Sequence, residues 1–477
     1  MQRLEGLDAS FVYLDTPAAP MQVGMTCVFD PATVPGGYSF GKVRRLVEDR
    51  LHLLPPFRRR LVEVPAKLHR PVWIEDPAFD LGEHLRRRSL PAPGGPRELE
   101  EFTAEVISRP LDRSRPPWEM HIVEGLADGM VGAVTKMHHA AIDGVSGAEL
   151  TANLLDVEPE PAPVEPPAPP WEPEPAPSRL ALAGDALREL LRQPVLAAST
   201  FARTLGAVAR LRRHNRVAET DPPPGPFGAP RTCLNGPLTA RRHVAFTQLD
   251  LEDVRQVKKA AGATVNDVVL AVCAGALRSH LDEHGACPGR SLVAAVPVSV
   301  RTGDDEGTMG NRLSAMLVDL ATTVDDPAAR LHAITERSRA AKEQDRLLGP
   351  DTLSDLAGLT PPVLLAAMGA LEARFGLSGR MPPACNLIVS NFPGPPSHLY
   401  CAGARMVAAY PMGPLALGNA LNITVQSYLD TLWFGIVACP DAVPAPERLP
   451  ARVADALGDL TKATTKQEWL RSHPAVL

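Results

Sequence analysis

The chain has 477 residues, 45% of them hydrophobic and 22% charged, enough for a large core spread over two or three domains. A formal net charge of −6 argues against general affinity for nucleic acid. Seven cysteines, at 27, 233, 273, 287, 385, 401 and 439, are scattered, odd in number and without a Cys-x-x-Cys, which points to reduced thiols in a cytoplasmic protein. The opening Met1–Gly6 lacks the apolar core of a signal peptide.

Short apolar runs predict strands at Met25–Phe29, Val72–Ile74, His121–Glu124 and Met130–Met137. Period-3.6 patterns predict helices near Phe40–Leu51 and Arg97–Ile107, and a further helical pattern runs from Val145 to Leu155. Residues 158–178 then form a Pro/Glu-rich linker. Glu158–Pro177 alone holds ten prolines, five glutamates and no basic residue, a composition that favours an extended, semi-rigid chain. Residues 179–216 read as two helical segments broken near Pro194, with eight arginines against Asp185 and Glu189. Leu180, Ala183, Leu187, Leu190 and Leu191 recur at helical spacing. Such a basic amphipathic segment suits either a bridge between domains or the surface of an anionic membrane.

Past the bridge, strands are predicted at His243–Leu249, Ser291–Val298, Arg312–Leu320, Ala384–Ser390, Arg405–Ala409, Ala420–Tyr428 and Thr431–Ala438. Helices are predicted at Leu251–Ala261, Thr264–Leu281, Pro327–Glu343 and Thr352–Ala373. Between Met381 and Leu429 the only formally charged residue is Arg405, yet seven prolines interrupt the stretch. A spanning helix needs roughly 20 mostly apolar residues without such breaks, so the reading is short buried strands, with any membrane contact peripheral. Mixed strands and helices on both sides of the linker predict two α/β domains of similar plan, 1–157 and 217–477.

The pattern richest in chemistry is His138-His139-Ala140-Ala141-Ile142-Asp143-Gly144, placed where a predicted strand ends and a helix begins. Neighbouring strand residues point to opposite faces, so only one of the two histidines can face a given cavity. An imidazole of pKa about 6.5 can accept a hydroxyl proton as the oxygen attacks a carbonyl. Asp143 could brace the loop or orient the ring, and Gly144 permits a close backbone approach or positive φ. No further Cys, His or carboxylate cluster stands at metal-ligand spacing, so no metal is expected. Elsewhere, Thr264 and Asp267 have the spacing of a helix cap. Trp118, after two prolines, suits packing, and Ser390–Pro395 ends a strand in a rigid turn.

The histidine motif resembles the active-site signature of CoA-dependent acyltransferases of the chloramphenicol acetyltransferase type. Leu7–Phe11, Pro20–Gly24, Pro116-Pro117-Trp118-Glu119, Asn266–Val269, Pro297–Arg301, Gly310–Ser314 and Ser390–Pro395, in that order, narrow the resemblance to bacterial wax ester synthase/diacylglycerol acyltransferases. The resemblance implies two chloramphenicol-acetyltransferase-like domains with mixed sheets flanked by helices and a tunnel between them. It implies His139 as general base, His138 in support, Asp143 as a structural brace beside Gly144, and Asn266 as a polar stabiliser. Trp118, Asp267, Asn391, Pro393 and Gly394 become tunnel or substrate residues, and Arg301 and Arg312 become candidates for CoA phosphate. Pro117 departs from the family's usual leucine.

The reaction so implied is transfer of a fatty acyl group from acyl-CoA to diacylglycerol or a long-chain alcohol. It needs no acyl-enzyme and no cofactor beyond the acyl-CoA substrate. The preferred alcohol is not legible. A carrier-protein-dependent or natural-product O-acyltransferase and a non-catalytic lipid-binding relative share the motif's class. A serine hydrolase would want Gly-x-Ser-x-Gly, which Gly144-Val145-Ser146-Gly147 does not provide. The expected setting is a cytoplasmic enzyme at a membrane or lipid-droplet surface.

Overall fold

The computed structural model describes residues 2–142, 151–166, 175–215, 223–225, 227–299, 313–349, 357–416 and 418–472. The strands of the first half are β1 (Gln2–Arg3), β2 (Gln22–Asp30), β3 (Arg59–Val62), β4 (Val72–Glu75), β5 (Leu85–Ser89), β6 (Trp118–Glu124) and β7 (Val131–His138). Those of the second half are β8 (His243–Asp250), β9 (Val293–Ser299), β10 (Leu313–Asp319), β11 (Leu387–Phe392), β12 (Tyr400–Cys401), β13 (Ala404–Met412), β14 (Leu421–Tyr428) and β15 (Thr431–Ala438). The main helices are α1 (Gly6–Leu14), α2 (Phe40–Arg50), α3 (Pro96–Ser108), α4 (Arg179–Asn215), α5 (Leu251–Ala261), α6 (Val265–Glu283), α7 (Pro327–Leu348), α8 (Pro362–Phe375) and α9 (Leu449–Ser472).

Two six-stranded mixed sheets organise the chain. The first has the order β12-β13-β2-β7-β6-β5 and the second β10-β9-β11-β14-β15-β8; β1, β4 and β3 form a small third sheet. In the first sheet only β5 and β6 run parallel; in the second, β11 runs parallel to both β9 and β14. Strands β12 and β13 come from late in the chain but complete the early sheet. The β13 register runs from Arg405 opposite Asp30 to Met412 opposite Gly24. The same strand lies against the second sheet: Tyr410 stacks on Phe246 of β8 at 4.2 Å and meets Trp433 of β15 edge-on at 5.1 Å. Gly435 of β15 is required there, because a Cβ would collide with the Pro411 carbonyl.

Local chemistry explains the elements that frame the site. Helix α5 starts where the Asp250 carboxylate accepts the Glu252 N–H, and ends at Gly262, left-handed at φ 65°. Two residues later Thr264 and Asp267 exchange hydrogen bonds as a capping box for α6. Helix α6 is apolar on nearly every face and is buried from Asp267 to Ala274, so it forms the centre of the second half's core. Burying each of Leu270, Leu277 and Leu281 there contributes roughly 1.5–3 kcal/mol.

The expected break at Pro194 does not occur; α4 is continuous from Arg179 to Asn215. One proline removes one backbone hydrogen bond, and flanking runs rich in Ala, Leu and Arg carry the helix through it. Its docked face also differs from the expected one. Leu182 and Ala186 are buried, Leu182 against Val72 and Ile74 of the small sheet, while Leu180, Leu187 and Leu191 face outward. Within the predicted Thr352–Ala373 helix, Ala357–Leu359 are helical and α8 follows from Pro362; the predicted start falls in residues 350–356, outside those described. Among the described residues no single helix is long and apolar enough to cross a membrane.

Candidate active site

Strand β7 delivers the histidine pair. His138 is its last residue, opposite Gln22 of β2, and His139 opens a 3-10 turn over His139–Ala141. That change of backbone separates two identical side chains. The His138 ring is 2% exposed, and its Nδ1 accepts the Ala140 N–H at 3.1 Å. A neutral ring therefore carries its proton on Nε2. Nε2 lies 3.6 Å from Oδ2 of Asp15, an ion-pair distance rather than a full hydrogen bond. The His139 ring is half-buried and stacks on Phe11 of α1, centroids 4.2 Å apart and planes 17° off parallel.

Four carbonyls and one carboxylate fix the backbone here. The His138 N–H donates to the Pro117 carbonyl at 2.9 Å, and the His139 N–H to the Met21 carbonyl at 2.8 Å. The Met21 N–H donates to Oδ1 of Asp15 at 3.0 Å. Ala18, within the same Asp15–Met21 loop, accepts from the guanidinium of Arg242 at 2.5 Å, a contact from the second half of the chain. Arg113 binds Oδ2 of Asp15 at 3.0 Å and the Val12 carbonyl at 2.9 Å. Burial pushes the Asp15 carboxyl up, but His138, Arg113 and the Met21 N–H outweigh it and hold it below the usual carboxylate range.

A buried ionic cluster backs the strand end. Lys136, 1% exposed, donates to the carbonyls of Val106 and Arg109 at 3.0 and 2.7 Å and lies 3.5 Å from Glu119. Gln22 donates to Ile107 and Arg109 at 2.6 and 3.0 Å. The C-terminal carbonyls of α3 are thereby satisfied from β7 and β2, the two strands that bear His138 and its register partner. Burial raises the Glu119 carboxyl, yet the His121 ring at 3.2 Å and the Lys136 charge prevail and hold it at about 2.

The other expected site residues fall in several places. Asn266, in the first turn of α6, accepts from Asn391 at the end of β11 at 3.4 Å, so these two are brought together. Asp267 is 2% exposed and holds the Thr264 N–H and hydroxyl at 2.9 and 2.7 Å, the work of a cap. Trp118 is buried in the first half's core, stacked between Phe57 and His84, with its indole N–H on the Phe57 carbonyl at 2.8 Å. The Pro-Pro-Trp-Glu stretch touches the histidines through the Pro117 carbonyl, which any residue would supply. Pro393 is exposed; Gly394 donates its N–H to the Ser427 hydroxyl at 3.1 Å, where a Cβ would strike the Ser427 carbonyl. That turn starts the crossover to β12 and β13. Asp143, Gly144, Arg301 and Arg312 lie outside the described residues.

Asp15, Arg113 and Lys136 belong to none of the motifs in the sequence, and Gln22 stands in one only as part of Pro20–Gly24. Asp15 sits between two quoted motifs, and Lys136 hides inside an otherwise apolar strand pattern. A lysine in a buried strand is the one signal that could have flagged the cluster. Among the described residues no group of three or more His, Cys, Asp or Glu could hold a metal ion. A cavity of about 550 Å3, lined in part by Tyr38, Phe40, Arg87, Glu124 and Met130, lies at the opposite end of β7 from His138. Eight strand residues place it roughly 25 Å away, so it is not the site of the histidine chemistry.

Comparison with known proteins places this arrangement. Residues 4–269 match the wax ester synthase/diacylglycerol acyltransferase catalytic domain, and residues 309–461 match that family's C-terminal domain. A Mycobacterium tuberculosis protein carrying the provisional name diacylglycerol O-acyltransferase is 40% identical over 99% of this chain and 93% of its own length. The wax ester synthase/diacylglycerol acyltransferase from Marinobacter aquaeolei VT8 superposes with a TM-score of 0.67 at 29% identity, over 97% of this chain and 100% of that one. The starter condensation domain of rhizomide synthetase shares the fold alone, at TM-score 0.56 and 13% identity over 97% and 94% of the two chains. With both domains of the family matched in order and the histidine pair at a strand end within the first, the chain is an acyltransferase belonging to the wax ester synthase/diacylglycerol acyltransferase family.

Proposed function

We propose that this enzyme transfers a fatty acyl group from acyl-CoA to the hydroxyl of diacylglycerol, of a long-chain alcohol, or of both, with His139 as general base. The observation that carries the reading is the division of labour within the pair. His138 is buried, with Nδ1 and Nε2 turned to Ala140 and Asp15, while His139 is half-buried on a turn just past the strand. In the proposed step the imidazole of His139 takes the hydroxyl proton as the oxygen attacks the thioester carbon. The imidazolium then protonates the departing CoA thiolate, so no acyl-enzyme forms. The paired Asn266 and Asn391 supply a polar group for the oxyanion, where one donor is worth roughly 3 kcal/mol. A tunnel between the halves, Arg301 and Arg312 on CoA phosphate, and Asp143 as a loop brace complete the proposal. The test offers one acyl-CoA with diacylglycerol and a fatty alcohol together and analyses the products. Release of CoA without a lipid ester would sink it.

The proposal places the enzyme in the cytoplasm, held peripherally at a membrane or lipid droplet. Helix α4 supports this. Leu180 and Leu191 are 85% and 75% exposed, and Leu187, Phe201 and Leu205 also face solvent, with Arg188, Arg203, Arg210, Arg212 and Arg213 exposed beside them. Exposed leucines flanked by arginine suit an anionic lipid surface. Bridge and membrane roles are compatible, since Leu182, Ala186 and Ala207 dock inward. All seven cysteines are free thiols, as a reducing compartment favours.

A further inference from the structure

We infer that Asp15 is a positioning residue for acyl transfer, acting through His138 and the Met21 peptide to set the ring of His139. The inference rests on His139 as the base. Asp15 caps the C-terminus of α1, its own N–H donating to the Phe11 carbonyl at 3.1 Å. Phe11, one turn earlier, is the ring on which His139 stacks. The Asp15 carboxylate then spends Oδ1 on the Met21 N–H, and Met21 in turn holds the His139 N–H through its carbonyl. Oδ2 faces Nε2 of His138 and the Arg113 guanidinium.

Asp15 therefore reaches three of the groups that hold His139: Met21 and His138 through its carboxylate, and the Phe11 backbone through its own N–H. The arrangement also has a direction. A negative Asp15 favours the proton on Nε2 of His138, which leaves Nδ1 to accept the Ala140 N–H and form the turn that presents His139. If Asp15 is removed, the His138 ring loses the group that selects this tautomer. The opposite tautomer would set an N–H against the Ala140 N–H and open the turn. Arg113 keeps the carboxylate ionised, and its second contact, to the Val12 carbonyl, ties that charge to α1. The side chain of Asp15 is 8% exposed, so solvent cannot replace it cheaply.

The test compares Asp15→Ala, Asp15→Asn, His138→Ala and Asp15→Ala/His138→Ala, with palmitoyl-CoA and hexadecanol as probes and thiol release as the readout. Asp15→Ala should lower kcat on the order of 100-fold, with KM for palmitoyl-CoA within about twofold, because positioning acts on the transition state rather than on acyl-CoA binding. Asp15→Asn keeps the acceptor for Met21 but turns an amide toward two donors; it should recover part of the loss. The double variant should be no slower than the slower single one, as expected when two residues act as one unit. Losses that multiply, or that appear in KM alone, overturn the inference. Should Asp15→Ala not fold, the folded Asp15→Asn and Arg113→Ala variants decide, and wild-type kcat in both overturns it. His139→Ala separates the two readings. If that variant turns over, the base assignment fails; if it is inactive while the Asp15 variants keep wild-type kcat, only the positioning role fails.

Discussion

His138 and His139 are chemically identical neighbours that the backbone sends to different fates. The last strand position buries one beside Asp15, and the first turn position presents the other against Phe11. His139→Ala should therefore cost on the order of 10²–10⁴ in kcat while leaving the melting temperature nearly unchanged. His138→Ala should do the reverse in emphasis, with a smaller loss of rate and a clear loss of stability. Near-wild-type turnover by His139→Ala alongside an inactive His138→Ala would reverse the assignment. Glu119 gives a second measurement at this scale. Its folded value of about 2 lies below the roughly 4.3 of an unfolded chain, so its contribution is complete above that value and is lost as pH falls toward 2. The contribution is on the order of 3 kcal/mol at most. Glu119→Gln should flatten the acid limb of melting temperature against pH between about 5 and 2; an unchanged limb would mean that the Lys136 cluster does not stabilise the fold.

At the level of elements, the hydrophobic periods of the chain are largely sufficient. Helix α5 and strand β15 occupy the residues that the sequence predicts, Leu251–Ala261 and Thr431–Ala438. The stretch after Met381, charged only at Arg405, is indeed strand and turn among its described residues. What the periods do not reveal is held by tertiary contact. Helix α1 is nine residues long, too short to stand alone, and six of them are buried, so it has no polar face to announce it. It is fixed from outside by α8, where Gly369 packs on the Tyr13 carbonyl with no space for a Cβ. The site shows the same division. The histidine pair is legible because two rare residues stand together at a strand end. Asp15 is not, because its partners lie at Met21, Arg113 and His138 and only folding assembles them.

Two experiments belong to this scale. Gly369→Val should force α8 off α1, cost about 1–3 kcal/mol and lower activity through the displaced Phe11; full stability would show that the helices slide freely. Replacing Arg210, Arg212 and Arg213 by Glu should weaken binding to anionic vesicles, most at low salt, while sparing turnover of a short soluble alcohol. If both activities collapse together, α4 is a bridge only.

At the scale of the molecule, the decisive feature is that β12 and β13 finish a sheet begun almost four hundred residues earlier in the chain. A chain nicked between residues 216 and 222 should stay together under native conditions and melt in one transition, because β13 of the later fragment pairs along β2 of the earlier one while its Tyr410 is held by Phe246 and Trp433 of the second sheet. Separation of the fragments without denaturant would contradict this. The crossover also sets a clock for synthesis. Strand β7 is complete at residue 138, but the strand that covers the far edge of β2 ends only at residue 412. At roughly 5–20 residues per second, the ribosome takes about 15–55 s to make the difference. For that interval the nascent first half carries an open edge, the kind that pairs with other chains. This enzyme should therefore lean on holding chaperones during translation. Chains stalled shortly before residue 404 should be protease-sensitive across Gln22–Asp30, and chains released past β15 should be protected there.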